Sequence, residues 1–217
     1  MTAKCPLCFE NQVQIYCQNN SKNDLKDYLH CQKCDLVFAE KAFHLSKSEE
    51  KARYDLHQNN SADLKYRQFL SQVFDPVIQL IPPNSKGLDF GSGPGPTLSE
   101  MFSQRGFSVD LFDKFYANNP AIFANKYDFI TATEVAEHLA EPGFELGRLY
   151  EMLEVGGILA LMTKMLNPNI DFKSWYYKDD PTHICFFSER TMRFLAKFWG
   201  AKVEFQNENV VLFFKQN

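Results

Sequence analysis

The stretch Leu88-Asp89-Phe90-Gly91-Ser92-Gly93-Pro94-Gly95-Pro96 decides the fold of this 217-residue chain. A short apolar run enters a loop with glycine at every second position, and a proline then opens an amphipathic segment. Glycine tolerates sharp left-handed turns and lets the backbone approach a ligand closely. Proline suits the first turn of a helix, where its missing N–H costs nothing. The reading is a buried strand over 88–90, a tight turn, and a helix over 96–105 closed by Gly106. Such a turn lies at the carboxyl end of its strand, where open α/β sheets bind ligands. The next strand, 107–112, ends at Asp113, a carboxylate placed to take the two hydroxyls of a ribose.

The alternation continues outward. Strands are expected over 127–131 and 158–162, the latter entered through a turn at Gly156-Gly157, and helices over 142–153 and from Ser188 to Trp199, closed by Gly200. Two last strands, 202–205 and 210–214, form a hairpin. The fold class is therefore α/β: a Rossmann-like parallel sheet with helices on both faces and antiparallel pairing at its C-terminal side. Upstream, Ser46 with Glu49 reads as a capping box opening a helix that runs out near 58–60. Ser61 is positioned to cap a second helix, which is expected to kink or restart at Asp75-Pro76 and to stop at Pro82-Pro83.

The dinucleotide fingerprint asks for glycine where Pro96 stands, and a P-loop asks for Gly-Lys-Ser/Thr, which is missing. The spacing Asp89, Gly91, Gly93, Gly95 instead resembles motif I of class I S-adenosylmethionine-dependent methyltransferases. Residues 127–139, ending Glu137-His138-Leu139, look like the fourth strand and following turn of the branch that includes ubiquinone-biosynthesis methyltransferases. Residues 153–159 and 180–188 are similar to later segments of the same branch. The resemblance implies an enzyme binding S-adenosylmethionine through Asp89, Phe90, Gly91, Ser92, Gly93 and Gly95 along the amino-acid part. It further implies Asp113 at the ribose, and Thr133, Glu134 and Val135 beside the methyl donor, with Glu134 equally suited to capping the next turn. One departure stands out: 13 residues separate Asp113 from Tyr127, too few for the usual third strand. Residues 121–124 are then its vestige, and Lys114, Phe115 or Tyr116 the substitutes at the adenine.

Four of the six cysteines form the pairs Cys5/Cys8 and Cys31/Cys34. Two residues between thiolates let one turn aim both sulfurs at a point, and two such turns complete a tetrahedral cage for structural zinc. The loop over 18–23 absorbs the long spacer, and Cys17 and Cys185 stay unpaired. A redox dithiol is disfavoured because Cys5 has no strand before it. The expected organisation is a zinc ribbon over 1–42, a helical connector over 43–82 and a methyltransferase core over 83–217.

Composition narrows the function. The 45% hydrophobic and 15% aromatic content, with 21 phenylalanines, describes a packed globular chain. A net charge of −4 disfavours gripping nucleic acid through bulk charge, and residues 1–42 balance five lysines against five acids. No apolar run suits a membrane helix and no signal peptide is visible, so a soluble cytoplasmic protein with reduced thiols is expected. The long segment 167–187 reads as the substrate wall, with Trp175, Tyr176 and Tyr177 as its aromatic clamp. His183 is the candidate general base, while His138, His44 and His57 read as structural or surface residues. The expected reaction is methyl transfer to a small molecule. The competing readings are methylation of a protein or RNA docked through the ribbon, and a non-catalytic cofactor-binding protein.

Overall fold

The computed structural model describes residues 3–18, 26–56 and 60–217. The expected loop at 18–23 and His57 therefore lie outside, or largely outside, the described residues, as does most of the expected helix end near 58–60.

Two sheets organise the chain. The larger has six strands: β4 (Lys86–Phe90), β5 (Ser108–Phe112), β6 (Tyr127–Thr133), β7 (Leu153–Met162), β9 (Lys202–Phe205) and β10 (Val210–Phe214). Their order is β5-β4-β6-β7-β10-β9. β4, β5, β6 and β7 run parallel, whereas β10 pairs antiparallel with both β7 and β9. The smaller sheet holds β1 (Val13–Cys17), β2 (Tyr28–Cys31) and β3 (Val37–Ala39), and its fourth strand is β8 (Cys185–Phe186). β3 pairs antiparallel with β8 through Val37–Phe186 and Phe38–Cys185. The cysteine-bearing sheet thus takes its edge strand from the far end of the chain.

Strand residues with a period of two feed two separate cores. Leu159, Leu161, Val211 and Phe213 join one apolar cluster that continues through Phe186 to Leu36, Cys34 and Cys5. Ile158, Ala160, Met162, Val210 and Leu212 face the other way, under α2 (Leu64–Leu80) and α3 (Thr97–Ser103). Burial on both faces explains why these strands read as continuous apolar runs. α4 (Pro142–Glu151) and α5 (Glu189–Trp199) lend Leu146, Leu149, Met192 and Leu195 to the first cluster. Gly143 of α4 touches the first cysteine turn: its N–H donates to the Pro6 carbonyl at 3.2 Å, and a Cβ there would stand 2.2 Å from the Leu7 oxygen. Only glycine permits that approach.

The capping box at Ser46 forms and starts α1 (Lys47–Tyr54), and Ser188 and Gly200 bound α5 as expected. Four expectations change. α2 does not restart at Pro76: it continues as one α-helix to Leu80, with Leu70, Val73, Phe74 and Val77 buried in one stripe on both sides of the proline. Its cap is Asp63, which accepts from the Lys65 and Tyr66 amides, in place of Ser61. β7 begins at Leu153 and carries Gly156-Gly157 within it, beside an irregularity in its pairing with β6. Residues Pro120–Ala124 form a 3-10 turn burying Ile122, so the sheet ends at β5 where a further strand would stand.

Candidate functional site

The carboxyl ends of β4, β5 and β6 converge on the glycine turn. The Gly91 and Ser92 amides both donate to the Phe112 carbonyl, at 2.7 and 3.2 Å, which ties the turn to the end of β5. Gly91 has φ +78°, and a Cβ on it would fall 2.3 Å from Val135 Cγ2. The turn therefore sits tightly on the segment following β6. Gly93, also left-handed at φ 63°, donates its N–H to Asp113 Oδ2 at 3.0 Å. Asp113 Oδ1 accepts the Phe115 and Tyr116 amides at 2.8 and 3.1 Å. Three backbone donors thus fix the half-buried carboxylate at the mouth of the turn, each oxygen retaining acceptor capacity.

Asp89 is buried behind the turn, where Thr131 Oγ1 donates to it at 2.9 Å. Burial pushes its carboxyl up to about 6, against that bond and with help from the charge of Asp113. Phe90 is buried and stacks on Phe112, ring centroids 5.3 Å apart, so its side chain belongs to the core and its backbone to the turn. Two hydroxyls beside the turn, Ser92 Oγ and Thr133 Oγ1, are buried with no hydrogen-bond partner. Gly95 lies further on, its carbonyl accepting the Thr97 amide at 2.7 Å.

After β6 the chain turns through Glu134, a non-glycine residue at φ 53°, the kind of backbone strain found at functional strand ends. Burial, and then the neighbouring charge of Glu137, lift the Glu134 carboxyl to about 8. Glu137 is fully buried, and burial pushes its pKa upward. Its Oε1 accepts the Tyr177 hydroxyl at 2.6 Å, and its Oε2 has no partner. His138 and His183 stand face to edge, centroids 4.7 Å apart. Each imidazole donates Nδ1–H to a carbonyl, His138 to Thr182 at 3.0 Å and His183 to Tyr177 at 2.6 Å. A carbonyl only accepts, so the Nε2 lone pair of each neutral ring is left for other use. Burial holds both below the ordinary histidine value, His138 at about 4.

The aromatic trio separates. Trp175 is buried among Phe172, Tyr177 and Phe186, and Tyr177 is buried with its hydroxyl on Glu137. Tyr176 is exposed and accepts from Lys164 Nζ at 2.7 Å. α1 lies across the site: Tyr54 meets the His138 ring at 5.4 Å, Glu50 pairs with Lys114 at 2.6 Å, and Arg53 reaches Asp180 at 3.0 Å. Lys114 is thus exposed and engaged by α1. A surface hollow of about 230 Å³ between α2 and α3 is lined by none of the candidate site residues. Glu137 is the participant that sequence reading passed over. The Glu134, Glu137, His138 spacing at the end of a strand was the available signal.

The four cysteines meet at one point. Cys5 and Cys34 sulfurs lie 3.5 Å apart and Cys8 and Cys31 sulfurs 3.4 Å, with all four within 4.8 Å. The two turns repeat one design: the residue after each pair, Phe9 or Asp35, is left-handed, and its amide donates to the carbonyl of the first cysteine. Spacing and symmetry fit a tetrahedral thiophilic cation. The four thiols cannot all ionise together without a cation. A bond from Cys34 brings Cys5 down to about 5, while burial drives Cys8 up to about 12.

A six-stranded, mostly parallel sheet with a glycine turn at its carboxyl edge defines a Rossmann-like α/β domain. Residues 59–204 match the methyltransferase domain family, and the chain belongs to that family: it is a methyltransferase. No curated protein matches it in sequence. Among solved structures it resembles the 1,6-didemethyltoxoflavin N1-methyltransferase of Burkholderia thailandensis, at 12% identity and TM-score 0.51, over 87% of this chain and 99% of that one. It also resembles the magnesium protoporphyrin IX methyltransferase of Synechocystis PCC 6803, at 14% identity and TM-score 0.52, over 79% and 92%. An O-methyltransferase family protein of Burkholderia thailandensis matches at 15% identity and TM-score 0.52, over 81% and 63%. These likenesses establish the fold.

Proposed function

We propose that the chain transfers the methyl group of S-adenosylmethionine to a small-molecule acceptor. The observation that carries this reading is the Asp113 carboxylate, anchored by the Gly93, Phe115 and Tyr116 amides directly beside the glycine turn. That is where a ribose diol finds an acceptor and the turn's backbone finds room for an amino-acid tail. The partnerless Ser92 and Thr133 hydroxyls supply the polar groups such a tail needs, since buried hydroxyls ordinarily find partners. When bound, the cofactor supplies an activated sulfonium methyl. The chain's own part is positioning: Asp113 at the ribose, Gly91 to Gly95 along the tail, Thr133, Glu134 and Val135 near the sulfonium. Lys114 flanks the adenine side, and Asp89 supports the turn from beneath.

His183 is the group to take a proton from the acceptor, because its ring is neutral and its Nε2 is uncommitted. Tyr176 is the exposed member of the substrate aromatics, while Trp175 and Tyr177 shape the pocket from behind. Two of the structural neighbours are named for small-molecule acceptors, didemethyltoxoflavin and magnesium protoporphyrin IX, which favours a small-molecule acceptor here. Cys5, Cys8, Cys31 and Cys34 hold a structural zinc.

Calorimetry with S-adenosylmethionine and with its demethylated product tests the donor. Binding of both, weakened at least tenfold in Asp113→Ala, is expected; no heat from either ligand on wild-type protein overturns the reading.

A further inference from the structure

β9 closes one side of the large sheet, and among the described residues its one strand neighbour is β10. The Gln206 amide donates to the Val210 carbonyl at 2.9 Å. Bonded positions alternate along an antiparallel ladder, so Glu204 and Lys202 also turn their backbone groups toward β10. Val203 and Phe205 turn theirs outward. A row of unpaired backbone groups is a template for another strand, and folded chains commonly blunt it with charge. β9 carries two charges, Lys202 and Glu204, which pair with each other at 2.7 Å. Opposite signs two residues apart repel most incoming strands at one position or the other, but not a second copy of the same strand.

A second β9 laid antiparallel, with Val203 facing its counterpart, sets Lys202 opposite Glu204 on both sides of the centre. The two Val203 residues exchange both backbone bonds. Each Phe205 amide meets the Ala201 carbonyl of the other copy, whose own amide is already spent on the Ala196 carbonyl at 2.8 Å. Lys202 and Glu204 then take the non-bonded positions, where facing side chains stand closest. The two-fold axis is perpendicular to the sheet, so each face runs on into the same face of the other copy.

The α2 face supplies a second complement. There β9 borders an open hollow of about 410 Å³, lined by α2 and by Glu204, Gln206 and Asn207. Asp75 and Glu204 are its charged lining residues, with no lysine or arginine among the described ones. The antiparallel register brings Lys202 of the other copy beside Glu204, an ammonium on a long apolar stem entering an acidic hollow that Leu80 also lines.

We propose that β9 is a homodimer interface: two copies of this chain join through antiparallel β9 edges about Val203, with Lys202 of each copy on Glu204 of the other. The two six-stranded sheets become one continuous sheet. β9 runs parallel to β7, because both are antiparallel to β10. Antiparallel β9 strands therefore place the two glycine turns on opposite rims of the joined sheet, and neither copy covers the other's donor site. The interface does not depend on the methyl-transfer reading.

A four-residue edge makes a small interface and a weak dimer, so the mass of the zinc-loaded full chain is followed by sedimentation equilibrium over a range of protein concentrations. Wild-type protein is expected to rise from one chain mass to two. Val203→Pro deletes the outward N–H without touching the ladder to β10, and should weaken association at least tenfold. Lys202→Glu and Glu204→Lys each set like charges opposite one another at two places, and each variant alone should dimerise at least tenfold more weakly. Mixed together, the two charge variants are complementary at every facing position, and the mixture should recover the wild-type association. That recovery is a readout independent of how well Val203→Pro folds. Wild-type protein that stays at one chain mass throughout, or dimers that survive Val203→Pro and both charge variants undiminished, would overturn the proposal, as would a mixture that stays monomeric. Calorimetry with S-adenosylmethionine on the same variants should match wild type; absence of donor binding in wild-type dimers would defeat the methyl-donor reading and leave the interface standing.

Discussion

Lys26 Nζ, on the strand entry of the cysteine-bearing half, donates a hydrogen bond to the His183 carbonyl at 3.2 Å, across 157 positions of sequence. The same ammonium reaches the carbonyls of Lys178 at 3.2 Å and Asp180 at 3.0 Å. One buried cation therefore gathers the turn that carries His183. The sheet does the same through β3 and β8, and Ser188 Oγ adds a bond to Asp35 at 2.5 Å. The N-terminal sheet is built into the wall of the candidate site.

Replacing Lys26 by methionine keeps the volume and removes the donor. Bonds to charged groups contribute about 1.5–3 kcal/mol each and do not add, so Lys26→Met should cost about 3 kcal/mol. Urea unfolding measures the loss. Hydrogen exchange should quicken at the amides of Asp180, Thr182, His183 and Ile184 before the rest of the chain opens. Unchanged stability and unchanged exchange there would contradict the role given to Lys26.

Removing the proposed zinc from the cysteines should act at a distance. Structural zinc contributes folding energy directly, and Cys31 sits on β2, next to the strand that pairs with β8. A strong chelator, or Cys31→Ser, is therefore expected to lower the melting temperature. It should also expose the β8 amides of Cys185 and Phe186 to exchange, while leaving the Ile158 to Met162 amides protected. Metal analysis should find one zinc per untreated chain. A Cys31→Ser protein with full zinc and full protection at β8 would exclude the site.

The glycine turn, the acid after the next strand and the alternation of strands and helices were legible because each rests on a local signal. Gly91 and Gly93 need left-handed backbone, and Asp113 closes an apolar strand. β8 was not legible, since two residues carry no periodicity and its partner lies about 150 positions away. At Pro76 the expected restart does not occur, because a stripe of buried contacts on both sides of the proline carries the helix through it. The inward turn of Trp175 and Tyr177 depends on Phe172 and Phe186, which only the fold brings alongside. Glu137 was quoted as part of a pattern, but its missing partner becomes visible only when burial is known.

Gly91→Ala brings two separable penalties. The left-handed φ costs about 1–2 kcal/mol for a residue with a Cβ, and the new methyl overlaps Val135 Cγ2 at 2.3 Å. The single variant should lose about 3 kcal/mol or more, and donor binding with it. Shortening Val135 to alanine in the same chain relieves the overlap and leaves the backbone strain. The double variant should regain about half of the stability but little of the donor binding. Full recovery of both would show that the turn's conformation is unimportant, against the reading of Gly91 as a ligand-approach residue.

Asp89 should make stability depend on pH in the direction opposite to an ion-paired carboxylate. Its carboxyl rises from 3.8 to about 6 on folding, because burial disfavours the charge. The folded chain therefore holds this proton more tightly than the unfolded chain. The penalty is absent below 3.8, grows as pH rises, and is complete above about 6. A shift of this size corresponds to about 3 kcal/mol, at about 1.4 kcal/mol per pH unit. Asp89→Asn removes the charge, and the Thr131 hydroxyl that donates to Asp89 Oδ1 at 2.9 Å can donate equally to an amide oxygen. Chemical unfolding at a series of pH values should show the variant gaining on wild type from about pH 4 to about pH 6, then staying ahead by a constant amount. Binding of S-adenosylmethionine should weaken over the same range, since a buried charge kept at such a cost behind the glycine turn is the kind of destabilising residue retained for function. A stability difference that stays flat with pH would mean that Asp89 is already neutral, or already compensated, in the folded protein.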